Sequence, residues 1–159
     1  MKDCIETSVA IANELAENLS KIDRDAVEKL MEAILGANGI FSAACGRSLL
    51  MIRGLAMRLM HLGLTSYVVG ETVTPAIEPG DLLVIGSGSG ETSSLVSMAK
   101  RAKALGVKIA LMTIYPDSTL GKLADIVVHI PGVTGKSDRE SGAGSVQPGG
   151  NMFEQSMLL

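Results

Sequence analysis

Leu82-Leu83-Val84-Ile85-Gly86-Ser87-Gly88-Ser89-Gly90-Glu91-Thr92 runs from four apolar residues into an alternation of glycine and serine. A short unbroken aliphatic run reads as a strand buried on both faces, and the pattern beyond it becomes helical over 91–105. Between the two, glycines such as Gly88 let the backbone approach an anion closely. The N–H groups of a helix start point toward such an anion, and the hydroxyls of Ser87, Ser89 and Thr92 add donors. The turn is a candidate phosphate cradle, with an ordinary capped strand-to-helix turn as the alternative. It has neither the Gly-Lys-Ser/Thr ending of a P-loop nor G-x-G-x-x-G spacing, so no nucleotide cofactor is expected.

Working outward, similar apolar runs at 40–44, 67–69, 109–112 and 126–130 alternate with helical patterns at 47–62 and 118–124. This predicts one α/β domain over residues 1–159, a three-layer sandwich with a five-stranded parallel sheet flanked by helices. Residues 1–36 supply two N-terminal helices that pack on it. The first carries Ile5, Val9, Ala12, Ala16 and Leu19, and the second is capped by Asp23 and carries Val27, Leu30, Met31 and Ile34. Residues 70–80, with Pro75 and Pro79, form a helix-free link. Residues 132–150, rich in Gly and Ser, are expected to be a flexible loop, either a lid or an unstructured connection. A last helix starts at Asn151 and ends on Met157-Leu158-Leu159, an apolar edge that reads as awaiting a continuation.

The composition excludes several classes of function. A net charge of -3, from 14 basic and 17 acidic residues, does not suit a surface that tracks nucleic-acid phosphates. The chain has no apolar run of about 20 residues to span a bilayer, and its start does not resemble a signal peptide, so no membrane partner and a cytoplasmic location are expected. Cys4 and Cys45 lack metal-ligand spacing, so neither a metal nor any other cofactor is called for. With 3% aromatic residues and no Trp, stacking platforms are scarce, and hydrogen-bonding recognition of a small polar ligand fits better.

A second glycine turn, Cys45-Gly46-Arg47-Ser48, also sits between a strand and a helix. In open parallel sheets, ligands collect beyond the carboxyl ends of strands where connections diverge. If these two strands are neighbours, Ser48, Ser87, Ser89 and Thr92 converge on one dianion. Arg47, a cation set unfavourably at a helix start, is expected to face a ligand or an interface carboxylate. Cys45 reads as a small residue ending a buried strand rather than as a nucleophile.

These segments, with Ala56-Met57-Arg58-Leu59-Met60-His61-Leu62-Gly63, Thr74-Pro75-Ala76-Ile77, Tyr115-Pro116-Asp117-Ser118 and Phe153-Glu154-Gln155, resemble the SIS-domain sugar isomerases. The resemblance covers about residues 38–159 in matching order, and the segments around His61, Thr74-Pro75 and Phe153-Glu154-Gln155 point to the 6-phospho-3-hexuloisomerase branch. It departs at Leu49, where that branch has a small residue, and at Gly149-Gly150-Asn151-Met152.

The resemblance implies isomerisation of a phosphorylated ketohexose, D-arabino-3-hexulose 6-phosphate, to fructose 6-phosphate, in formaldehyde fixation or pentose supply. It also implies a homo-oligomer, a tetramer or dimer with an intersubunit active site. Another aldose-ketose phosphosugar isomerase and a non-catalytic phosphosugar sensor are the alternatives. Gly46, Arg47, Ser48, Ser87, Gly88, Ser89 and Thr92 are the expected phosphate-binding set, and Glu154 and His61 the expected catalytic residues. Asn151 and Glu154 also stand at capping-box spacing. His61 lies thirteen positions beyond Ser48 on one predicted helix, roughly 20 Å along its axis. It is therefore either a helix-end histidine or one that reaches a neighbouring subunit's pocket.

Overall fold

The computed structural model describes residues 3–133 and 145–159. Helices α1 (Cys4–Leu19) and α2 (Arg24–Gly36) start on the side chains of Asp3 and Asp23, which accept the N–H groups of Ile5 and Asp25. Then follow β1 (Ile40–Ala44), α3 (Arg47–His61), β2 (Ser66–Val68), β3 (Leu82–Gly86), α4 (Ser93–Ala104), β4 (Lys108–Thr113), α5 (Thr119–Leu123), β5 (Ile126–His129) and α6 (Asn151–Leu158). The sheet is five-stranded and wholly parallel in the order β2-β1-β3-β4-β5, as the alternation of apolar runs predicts.

Successive strand residues face opposite sides, and the two cores follow from that. Ile40, Leu82, Val84, Ala110, Met112 and Val128 pack with Leu30, Ile34, Ile52, Leu59, Phe153 and Met157 of α2, α3 and α6. Phe41, Leu83, Ile85, Ile109 and Leu111 pack on the other face with Leu95, Ala99, Ala102 and Leu120 of α4 and α5. No helix among the described residues is long and apolar enough to cross a membrane.

Topology then places the functional region. From β1 the chain moves through α3 to the edge strand β2, whereas from β3 it moves through α4 the opposite way to β4. β1 and β3 are neighbours with Ala44 opposite Gly86, so a topological switch point opens between them at the carboxyl edge of the sheet.

Three local features differ from the sequence expectation. The helix expected from residue 91 begins at Ser93, because Gly90 takes a positive φ of 65° and Thr92 is still extended, with φ -64° and ψ 113°. α6 starts at Asn151 as expected, with Gly150 at φ 87° before it, but Asn151 donates to Gln147 Oε1 at 2.8 Å, so the capping box that its spacing from Glu154 allowed does not form. Cys45 is exposed just beyond β1, with Sγ 3.5 Å from Ser94 Oγ. Of the expected flexible loop, residues 134–144 lie outside the described residues. On its flanks, the Gly150 N–H donates to the Val133 carbonyl at 2.8 Å. Glu14 of α1 accepts from the Val146 N–H and from the Ser145 hydroxyl, at 2.8 and 2.9 Å.

Candidate active site

The turns after β1 and β3 are the two edges of a single cleft of about 320 Å³. It brings together all seven expected phosphate-binding residues, Gly46, Arg47, Ser48, Ser87, Gly88, Ser89 and Thr92, and also Glu154 from the far end of the sequence. Gly46 and Thr92 are the N-cap residues of α3 and α4, so two helix starts with their unpaired N–H groups face the same space. Gly46 has φ 59° and ψ -135°, a conformation that strains any residue with a Cβ. Thr92 makes no capping bond with its side chain.

Two of the serine hydroxyls are oriented by backbone donors. Ser87, nearly buried, accepts the Gly90 N–H at 3.2 Å, and Ser89 accepts the Glu91 N–H at 3.3 Å. A hydroxyl that accepts from the backbone keeps its own proton to donate, and here both donors lie on the cleft wall. Glu91 takes no part in the cleft. Its carboxylate accepts the Thr119 N–H at 2.8 Å, and that bond, helped by the Thr119 hydroxyl, holds its pKa below the ordinary carboxylate value. Glu91 thereby ties the turn to the start of α5.

Glu154 is held from behind by packing. α6 has eight residues, too few to be stable alone, and is fixed by buried Phe153 and Met157 and by the Asn18 Nδ2 bond to Ser156 Oγ at 3.0 Å. At about 1.5–3 kcal/mol for each fully buried side chain, these contacts outweigh the helix's intrinsic tendency to fray. The Glu154 side chain is 11% exposed, and its Oε1 accepts from Arg47 Nε at 3.2 Å. Arg47 Nη2 also donates to the Gly149 carbonyl at 3.0 Å. Arg47, expected to face a ligand or an interface carboxylate, here pairs with a carboxylate of its own chain. With Arg47 62% exposed, solvent screening limits this pair to about 1 kcal/mol of stability, so its main effect is to fix direction.

The structure does not bring His61 to this cleft. It ends α3, exposed, with Nδ1 3.4 Å from Arg58 Nη1. Gly149, Gly150 and Phe153 line the cleft but were not expected from the sequence, although the Gly149-Gly150 doublet before a helix was a usable signal for the first two.

An open parallel sheet whose switch-point turns join two helix starts, several hydroxyls and one carboxylate defines an α/β domain of the class that binds small anionic ligands. The SIS domain family pattern matches residues 33–147, and the chain belongs to that family. It is 44% identical over 150 residues to a 3-hexulose-6-phosphate isomerase of Bacillus subtilis, covering 94% of this chain and 80% of that protein. A 3-hexulose-6-phosphate isomerase of Mycobacterium gastri is 46% identical over 149 residues, covering 94% and 74%. The crystal structure of a hypothetical protein of Methanococcus jannaschii, for which a molecular function of 3-hexulose-6-phosphate isomerase has been inferred, matches with a TM-score of 0.75. It is 33% identical, with 96% of this chain and 80% of that one covered.

Proposed function

We propose that this protein is a sugar-phosphate isomerase that interconverts D-arabino-3-hexulose 6-phosphate and fructose 6-phosphate through an enediol. The observation that carries the reading is the meeting of two serine-bearing turns in one cleft with the Glu154 carboxylate on its wall. The hydroxyls of Ser48, Ser87, Ser89 and Thr92, with the N–H groups at the starts of α3 and α4, hold the phosphoryl group. Glu154 removes the proton from C2, the C2–H electron pair forms the C2=C3 bond of the enediol, and O3 takes up a proton. The same carboxylate returns its proton to C3 as the O2 proton leaves, so a single base on one face serves both transfers. The 3-hexulose cannot close a five-membered ring through its phosphorylated O6, so no ring-opening acid is required in this direction.

His61 fits this chemistry only if it comes from a neighbouring subunit. We assign it to an intersubunit site in a cytoplasmic homo-oligomer, a tetramer or dimer, where it moves the proton between O2 and O3. The solvent-facing Leu50, Met57 and Met60 on α3, and Leu62 just past it, support an interface on this helix. Formaldehyde fixation or pentose supply is the metabolic setting that this reaction suits.

The test is to incubate the purified protein with ribulose 5-phosphate, formaldehyde and a hexulose-phosphate synthase, and to assay fructose 6-phosphate. Its formation, dependent on this protein, is the expected result. No product alongside measurable phosphosugar binding would replace the enzyme by a phosphosugar sensor.

A further inference from the structure

Arg47 is the one cation among the described residues that line the cleft, and charge alone would place it on the phosphate. Its geometry runs the other way. A guanidinium donates from a rigid fork, and here one edge of that fork, Nε and Nη2, is committed to two points of the entry to α6. Nε meets Glu154 Oε1 at 3.2 Å and Nη2 meets the Gly149 carbonyl at 3.0 Å. The turn is shaped to receive it. Gly150 sits at φ 87°, and a Cβ there would come within 3.1 Å of Nη2. Hydroxyls and helix N–H groups can satisfy the phosphate without this edge.

We infer that Arg47 is a positioning residue for Glu154 and not a ligand of the phosphate: it links the start of α3, which borders the phosphate cradle, to the direction of the carboxylate. The inference rests on the isomerase reading. In a proton transfer between adjacent carbons, a carboxylate displaced by about 1 Å loses on the order of a hundredfold in rate. The ground-state grip on the phosphate is unaffected by such a displacement.

Kinetics of Arg47→Gln and Arg47→Lys, with Ser89→Ala as the control for phosphate binding, test this. The glutamine variant should lose about a hundredfold in kcat, while KM and competitive inhibition by inorganic phosphate stay within about twofold of wild type. Arg47→Lys should recover part of kcat, since the charge persists and the fork does not. Full kcat in Arg47→Gln, or phosphate inhibition weakened as in Ser89→Ala, would overturn the inference. Should Arg47→Gln melt early, Arg47→Lys decides by the same split between kcat and phosphate inhibition. A wild-type protein that forms no fructose 6-phosphate would instead overturn the isomerase reading itself.

Discussion

A base that moves a proton between neighbouring carbons must be held still and yet be reachable, and Glu154, proposed here for that role, has different contacts for each demand. Phe153 and Met157 hold its helix from behind, while its carboxylate stands on the cleft wall. Glu154→Gln should therefore lower kcat by about a thousandfold and leave fructose 6-phosphate affinity, read by calorimetry, nearly unchanged. An early thermal melt with weakened binding would give Glu154 a structural role instead. With Ser89 in the proposed cradle, Ser89→Ala removes a donor to a charged group and should weaken inhibition by inorganic phosphate about tenfold. Unchanged inhibition would remove Ser89 from the cradle. Gly90 is constrained twice, by its φ of 65° and because a Cβ would come within 1.9 Å of Ser118 Oγ. Gly90→Ala should lower the melting temperature measurably and weaken phosphate binding with it.

The elements around the cleft are tied together by side-chain hydrogen bonds. Glu91 accepts from Thr119 and is thereby depressed below its ordinary carboxylate pKa. A depressed folded value contributes stability that is present above the ordinary value and lost as pH falls through the folded one. The melting-temperature gap between wild type and Glu91→Gln should accordingly narrow below about pH 4, and a gap that persists there would contradict this tie. The strands and the two glycine turns were legible in the sequence because apolar runs and Gly-Ser alternation are local signals. The Arg47–Glu154 pair was not, because it joins residues 107 positions apart. The start of α6 at Asn151 was legible, but the capping-box spacing of Asn151 and Glu154 was a false signal, since the Asn151 side chain finds Gln147 and Gly150 takes the positive φ. The tie between Glu14 and residues 145–147 was equally out of reach, since nothing in either segment names the other.

On the scale of the whole molecule, the switch point between β1 and β3 gathers a cleft from both halves of the chain, while His61 stands at the far end of α3. If the site is completed across an interface, Glu154 of one subunit works with His61 of another. Glu154→Gln and His61→Ala proteins, each nearly inactive, should then regain roughly a quarter of wild-type activity when coexpressed as mixed oligomers. Absence of any recovery in verified hybrids would confine the chemistry to one subunit. The most direct measurement of all is a crystal structure of Glu154→Gln with fructose 6-phosphate bound. Phosphoryl oxygens should lie within about 3.2 Å of the Ser48, Ser87, Ser89 and Thr92 hydroxyls, with the C2–C3 edge turned toward residue 154. A phosphate held elsewhere, or a C2–C3 edge directed away from that side chain, would contradict both the cradle and the base.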